Sequence, residues 1–356
     1  MANTIMSNVM ANAKTHFDVI LKECYPLVSS LLMIIKNNAF GEEDNLFVSI
    51  MNTCSKYDIL TVSFIVCLVF IYYCFTWSII GNNCSKVDQI WSITPIVYAW
   101  LFYCLDGTKN IRVLTMAILI TLWGCRLTFN FWRRGGYGNL IVHEEDYRWP
   151  ILREQINSPI LFYIFNLTFI ASYQNLLLWF ICLPIYEVSK QSPKSLTTGD
   201  VVVSILFVTL LVFETLSDQQ QWNFQNKKYS YTQEQRAQHS DDDIRNGFLT
   251  KGLFTYTRHP NYFCEQSIWV VVYLFSITGT DSISISSYIN WSIFGVIQLI
   301  ALFAGSMSFS EGITAKKYPA YKVYQKKVSQ CIPIPFFFIS DSNSDGDSDS
   351  NKKKNK

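Results

Sequence analysis

Apolar positions along this chain gather into long unbroken runs rather than helical stripes. A helix needs about 20 residues to cross a hydrocarbon core of roughly 30 Å. Six runs are read as spans: 59–80, 90–105, 113–132, 160–186, 201–216 and 289–309. A seventh, 267–278, is short, but extending it back through Tyr262 makes it adequate, and Gly279 and Asp281 turn the chain before the last crossing. An eighth, 19–35, carries Lys22, Glu23 and Pro26 and reads as either a first span or an interfacial helix. The pattern predicts an all-α, polytopic transmembrane helical bundle of about seven spans. It consists of an N-terminal extension at 1–58, a membrane domain at 59–337 and a polar tail at 338–356. No cleavable signal peptide is expected, because the first strongly apolar run lies deep in the chain and lacks a small-residue cleavage pattern.

Composition agrees with this reading. Of 356 residues, 50% are apolar, 16% aromatic and 16% charged, a balance that excludes disorder and argues against an ordinary soluble enzyme. The formal net charge of +2 gives no basic footprint for a nucleic acid, and no obligate protein partner is evident. Of the 29 Lys and Arg residues, 20 lie in segments 81–89, 133–158, 217–262 and the tail from 311, and only six in the alternate loops 36–58, 106–112, 187–199 and 279–288. By the positive-inside rule the first set, and with it the C-terminus, faces the cytosol. The ten cysteines form no C-x-x-C and no Cys/His zinc spacing, and the four histidines are scattered, so no metal site is expected. G-x-G-x-x-G, P-loop and G-x-S-x-G signatures are absent as well.

Two stretches carry chemistry. Continued as a helix, ETLSDQQQWNF at 214–224 places Glu214, Asp218, Gln221 and Gln225 on one polar face, with Trp222 adjacent. A carboxylate just inside the bilayer is costly unless it lines a cavity or meets a partner. A helix emerging into water would account for Asp218 and the glutamines, but less well for Glu214. In NGFLTKGLFTYTRHPNYFCE at 246–265, Arg258 and His259 are donors suited to phosphate or carboxylate, and Pro260 can open the next helix. That helix would present Asn261, Tyr262 and Glu265 near its N-terminus. An Arg-His pair at such a boundary also serves as a headgroup anchor.

Taken together, Asp218-Gln219-Gln220, Gly252-Leu253-Phe254, Arg258-His259-Pro260-Asn261-Tyr262 with Glu265, and Tyr318-Pro319-Ala320-Tyr321 with Ile332-Pro333 resemble the steroid 5α-reductase-like membrane family. The likeness is to its largely uncharacterised branch. Val87-Asp88-Gln89-Ile90-Trp91-Ser92, Arg126-Leu127 and Glu145-Asp146-Tyr147-Arg148-Trp149 resemble the same branch, over roughly residues 85–337. The resemblance implies a membrane enzyme that takes NADPH from the cytosol and reduces a carbon-carbon double bond conjugated to a carbonyl in a lipophilic small molecule. It implies that Asp218, Asn261 and Glu265 hold the cofactor, while Arg258, His259 and Tyr262 match the branch's local cofactor-binding pattern. The chain departs from the family in having Cys264 where Gly is usual, and in lacking a clear counterpart of the family's Glu and Tyr acid pair. Asp88 is the local candidate for the catalytic acid, its alternative role being a helix N-terminal carboxylate, with Tyr98 or Tyr103 next in line. An S-adenosylmethionine-dependent membrane methyltransferase uses a similar R-H-P-x-Y turn, and a non-catalytic membrane protein is the third reading. Residues 340–351 cannot bury a core and are expected to be disordered. The closing Lys353-Lys354-Asn355-Lys356 resembles a dilysine retrieval signal, which implies the endoplasmic reticulum.

Overall fold

The computed structural model describes residues 2–39, 45–138, 145–192, 195–279 and 288–333, and among them every regular element is helical. The chain divides into two compact units, Met1–Val208 with Trp269–Leu299, and Thr209–Ile268 with Ile300–Lys356. The first unit contains α1 (Ala2–Ala39), α2 (Leu46–Cys54), α3 (Ile59–Ile80), α4 (Lys86–Ile90), α5 (Thr94–Asp106), α6 (Ile111–Arg133), α7 (Arg148–Ile156) and α8 (Pro159–Phe165). A π-helical stretch, Asn166–Tyr173, then leads into α9 (Gln174–Phe180) and α10 (Leu183–Lys190), and α11 (Thr198–Tyr229) begins here. The second unit holds the rest of α11, α12 (Gln233–Ala237), α13 (Asp242–Asn246) and a 3-10 turn, Gly252–Thr255. It also holds the start of α14 (Pro260–Thr278), the end of α15 (Ile293–Lys317), and α16 (Tyr321–Lys327).

Among the described residues, five helices are long and apolar enough to cross a membrane: Ile59–Ile80, Ile111–Arg133, Pro159–Lys190 with the π stretch inside it, Thr198–Tyr229 and Ile293–Lys317. The chain thus has the make-up of a multi-pass membrane protein. The expected span at 90–105 is divided into α4 and the 13-residue α5, and α5 is only about 20 Å long. The run at 267–278 is the later part of the 19-residue α14. Segment 19–35 lies inside the 38-residue α1, which is not among the five. Residues 334–356, with the expected disordered tail and dilysine signal, lie outside the described residues.

Local chemistry sets the ends of these helices. The Asp58 side chain accepts from Leu60 N at 2.8 Å to open α3, and Asn110 accepts from Arg112 N at 3.0 Å to open α6. Pro95 occupies the first turn of α5, where its missing N–H leaves nothing unsatisfied. Helices α5 and α6 pack closely because residue 124 is glycine: a Cβ there would sit 2.6 Å from Ser92 O. Leu27 of α1, Cys54 at the end of α2 and Val62 of α3 form one apolar cluster, so the N-terminal extension packs onto the first span.

Arg112 and Asp200, both with fully buried side chains, pair through two hydrogen bonds, Nε to Oδ2 at 2.8 Å and Nη2 to Oδ1 at 3.1 Å. Arg112 also donates to Gln191 Oε1 at 3.0 Å and to Phe275 O at 2.7 Å, which ties the starts of α6 and α11 to the end of α14. In the second unit, Phe248 packs with Tyr321 and Tyr324 of α16, and the Tyr324 hydroxyl donates to Phe254 O.

Candidate functional site

The motifs of the second unit converge. Helix α11 carries Glu214, Ser217 and Asp218, all buried. Helix α14 opens at Pro260, and its next residue, Asn261, donates from Nδ2 to Asp218 Oδ1 at 3.2 Å. Glu265, also buried, stands one turn beyond Asn261 on the same face of α14. Two residues after Asp218, Gln220 Oε1 accepts from Leu253 N at 2.9 Å. That approach requires glycine at 252, where φ is +67° and a Cβ would lie 2.5 Å from the same Gln220 oxygen. The D-Q-Q and G-L-F motifs are therefore two sides of one contact. Beside it lies an open cleft of about 380 Å³ bordered by Gln220, Asn223, Lys227, Asp241 and Lys251. Lys251 and Lys227 approach Asp241 at 2.8 Å and 3.8 Å, and the hydrogen bond from Lys251 is the main cause holding the Asp241 carboxyl below its ordinary value.

Arg258 and His259 both meet Glu311. Arg258 forks onto Glu311, Nε to Oε1 at 2.6 Å and Nη2 to Oε2 at 2.9 Å. Its Nη1 donates to Gln325 O at 3.0 Å and to Val328 O, and so caps the end of α16. His259 Nε2 lies 2.9 Å from Glu311 Oε1. The same carboxylate accepts from Gln325 Nε2 at 2.9 Å and from the Tyr321 hydroxyl at 3.3 Å. Tyr262 stacks on the His259 ring, 5.3 Å between centroids at 16°, and meets Phe303 edge-on. Glu311 thus organises the R-H-P-N-Y turn and the Y-P-A-Y segment together. In the sequence Glu311 opens a basic tail, and its one local signal is an acid directly after an apolar run, in a chain with an Arg-His pair to match it.

In the first unit, Asp88 joins the two remaining motifs. Trp149 Nε1 donates to Asp88 Oδ2 at 3.2 Å, and Arg148 Nη2 lies 3.9 Å from Oδ1. Alongside, Asp146 N donates to Ser85 Oγ at 2.8 Å and Cys84 N to Glu145 Oε1 at 2.9 Å, while Arg153 pairs with Glu145 at 2.9 Å. The V-D-Q-I-W-S and E-D-Y-R-W segments therefore lock onto each other, and Asp88 is a tether between them. Burial pushes its carboxyl above the ordinary value, against the opposing charge of Arg148.

Tyr98 of α5 is fully buried, and its hydroxyl meets no nitrogen or oxygen partner among the described residues, only the Cys67 thiol. Thr94 Oγ1 on the same helix and Asn175 Oδ1 on α9 are likewise buried without a partner. Buried polar atoms are rarely left so in folded proteins. Tyr103 is half-buried, and its ring packs edge-on against Trp100.

Residues 74–328 match a family model described as "Protein of unknown function (DUF1295)". A protein of Schizosaccharomyces pombe described as "Uncharacterized protein C594.04c" is 34% identical over 264 residues, covering 72% of this chain and 74% of that one. No solved structure matches.

Proposed function

The chain belongs to the DUF1295 family, and from that premise we propose that it is a membrane-embedded reductase of a conjugated carbon-carbon double bond in a lipophilic substrate, with NADPH as cofactor. The observation that carries this reading is the hydrogen bond between Asn261 and Asp218, with Glu265 buried one turn further along α14. These are the three positions that the likeness to steroid 5α-reductase-like proteins assigns to the cofactor, and they come from two helices separated by 43 positions in sequence.

The side chains suit part of that group well. A carboxylate paired to a carboxamide, with a second carboxylate nearby, suits ribose hydroxyls and a carboxamide. Arg258 does not fit a phosphate, because Glu311 and two carbonyls occupy its donors. Lys227 and Lys251, at the cleft beside Gln220, are the cations available for that charge. When bound, NADPH supplies the hydride. Asp218, Asn261 and Glu265 hold and orient, and Glu311 fixes the turn from which Asn261 projects.

Saturating the bond also needs a proton, for which the candidates are Asp88, whose carboxyl burial pushes above its ordinary value, and Tyr98, whose buried hydroxyl is uncommitted to any described nitrogen or oxygen. A donor in a water-poor interior stabilises a developing enolate far more than one in water. The orientation that follows from the charge bias puts the cofactor end in the cytosol. Equilibrium titration of the detergent-purified protein with NADPH and with S-adenosylmethionine tests the proposal. Saturable NADPH binding that Asn261→Ala and Glu265→Ala abolish supports it, and selective S-adenosylmethionine binding replaces it with a methyltransferase.

A further inference from the structure

The geometry around Glu311 points to a specific role for His259: it presents Nδ1 to the bound ligand as a hydrogen-bond acceptor, and Glu311 is the positioning residue that makes it one. The inference rests on the cofactor reading above and names the part of the ligand that His259 meets.

Glu311 is the fixed point of this turn. Its carboxylate is almost buried, with a side chain 6% exposed, and takes a two-pronged, charge-assisted pair from Arg258. An ionised carboxylate can only accept. The contact of 2.9 Å between Glu311 Oε1 and His259 Nε2 therefore requires the proton on Nε2. In a neutral imidazole with Nε2 protonated, Nδ1 is an acceptor. The ring cannot readily turn over, because it lies flat on Tyr262, which Phe303 braces edge-on at 5.0 Å.

Among the described residues Nδ1 makes no hydrogen bond, and the side chain is 18% exposed, so this nitrogen is open to a ligand. The titratable and charged groups around the ring are Glu311 from α15, Tyr321 from α16, and Arg258 and Tyr262 from its own turn and helix. None of them contacts Nδ1. An acceptor of this kind takes an O–H or N–H group, such as a ribose hydroxyl or a carboxamide, and disfavours a phosphate oxygen. The motif R-H-P therefore does not mark two anion ligands: Arg258 holds the frame, and His259 reads a hydrogen-bond donor.

The test is NADPH binding by the full chain in detergent, for wild type and His259→Phe, with nitrogen-15 spectra of the histidine-labelled protein. Phenylalanine keeps the stack on Tyr262, and Glu311 keeps its pair with Arg258. The variant should bind about tenfold more weakly, the loss of one hydrogen bond. The spectra should show the Nε2–H tautomer for the signal that His259→Phe removes. In Glu311→Gln, whose amide can also donate, that signal should become a tautomer mixture. An unimpaired His259→Phe variant or an Nδ1–H tautomer each overturns the inference. If wild type binds no NADPH, the cofactor reading fails, and the nitrogen spectrum alone decides which tautomer Glu311 imposes.

Discussion

At Asp88, burial and charge pull in opposite directions, and burial prevails. A carboxyl whose folded pKa lies above its unfolded value contributes stability that is fully present below the unfolded value and is lost as pH rises through the folded one. Asparagine at this position keeps an acceptor for the Trp149 N–H and carries no charge. Thermal unfolding of Asp88→Asn across pH should show it gaining on wild type as pH rises through that window. A variant that loses ground instead would show Asp88 working as the ionised partner of Arg148. Turnover should distinguish the two acid candidates. The variant that removes the donor, Asp88→Asn or Tyr98→Phe, is expected to slow reduction about a hundredfold or more at unchanged NADPH affinity, while the other stays near wild type. The polar residues that matter could be picked out from the sequence, but their partners could not. Asp88 was legible as a carboxylate at a helix start, yet its tie to Trp149 crosses 61 positions and has no periodic signature. The carboxylate that pairs with Arg258, Glu311, is 53 residues away and has no local signature.

The helices themselves follow from apolar runs, which is why 59–80, 113–132, 160–186 and 201–216 fall within helices long enough to span, and 289–309 does so from Ile293 onward. The run at 90–105 misled because its turn is made of Trp91, Ser92 and Ile93, mostly apolar residues that do not interrupt a hydropathy pattern. Pro95, two residues on, was the one local mark of a helix start. The pair of Arg112 and Asp200 was illegible for a different reason, since each falls at a span end, where charges are ordinary. Removing either partner leaves a buried charge, so Arg112→Ala or Asp200→Ala should destabilise by about 3–5 kcal/mol. Replacing both with apolar residues of similar volume should recover most of that, as read by thermal unfolding in detergent. Equal loss in the double variant would mean that the hydrogen bonds to Gln191 and Phe275 matter more than the ion pair.

For the molecule as a whole, charge bias predicts that the loops 133–158 and 217–262 share the cytosolic face with the C-terminus. A protease site inserted near residue 240 should be cleaved from the cytosolic side of sealed microsomes, and protection there would invert the assignment. Asn166 stands in an Asn-Leu-Thr sequon, but it is buried and its amide donates to Ser78 Oγ at 2.6 Å, so it should carry no glycan. Titration of the purified chain with NADPH, run in parallel on wild type and a folded Asn261→Ala variant, decides whether the Asp218 and Asn261 pair is a dinucleotide site. Wild type should bind saturably and the variant should lose that binding, with S-adenosylmethionine giving no saturation in either. Saturation by S-adenosylmethionine alone, or NADPH binding that survives the substitution, would contradict that assignment.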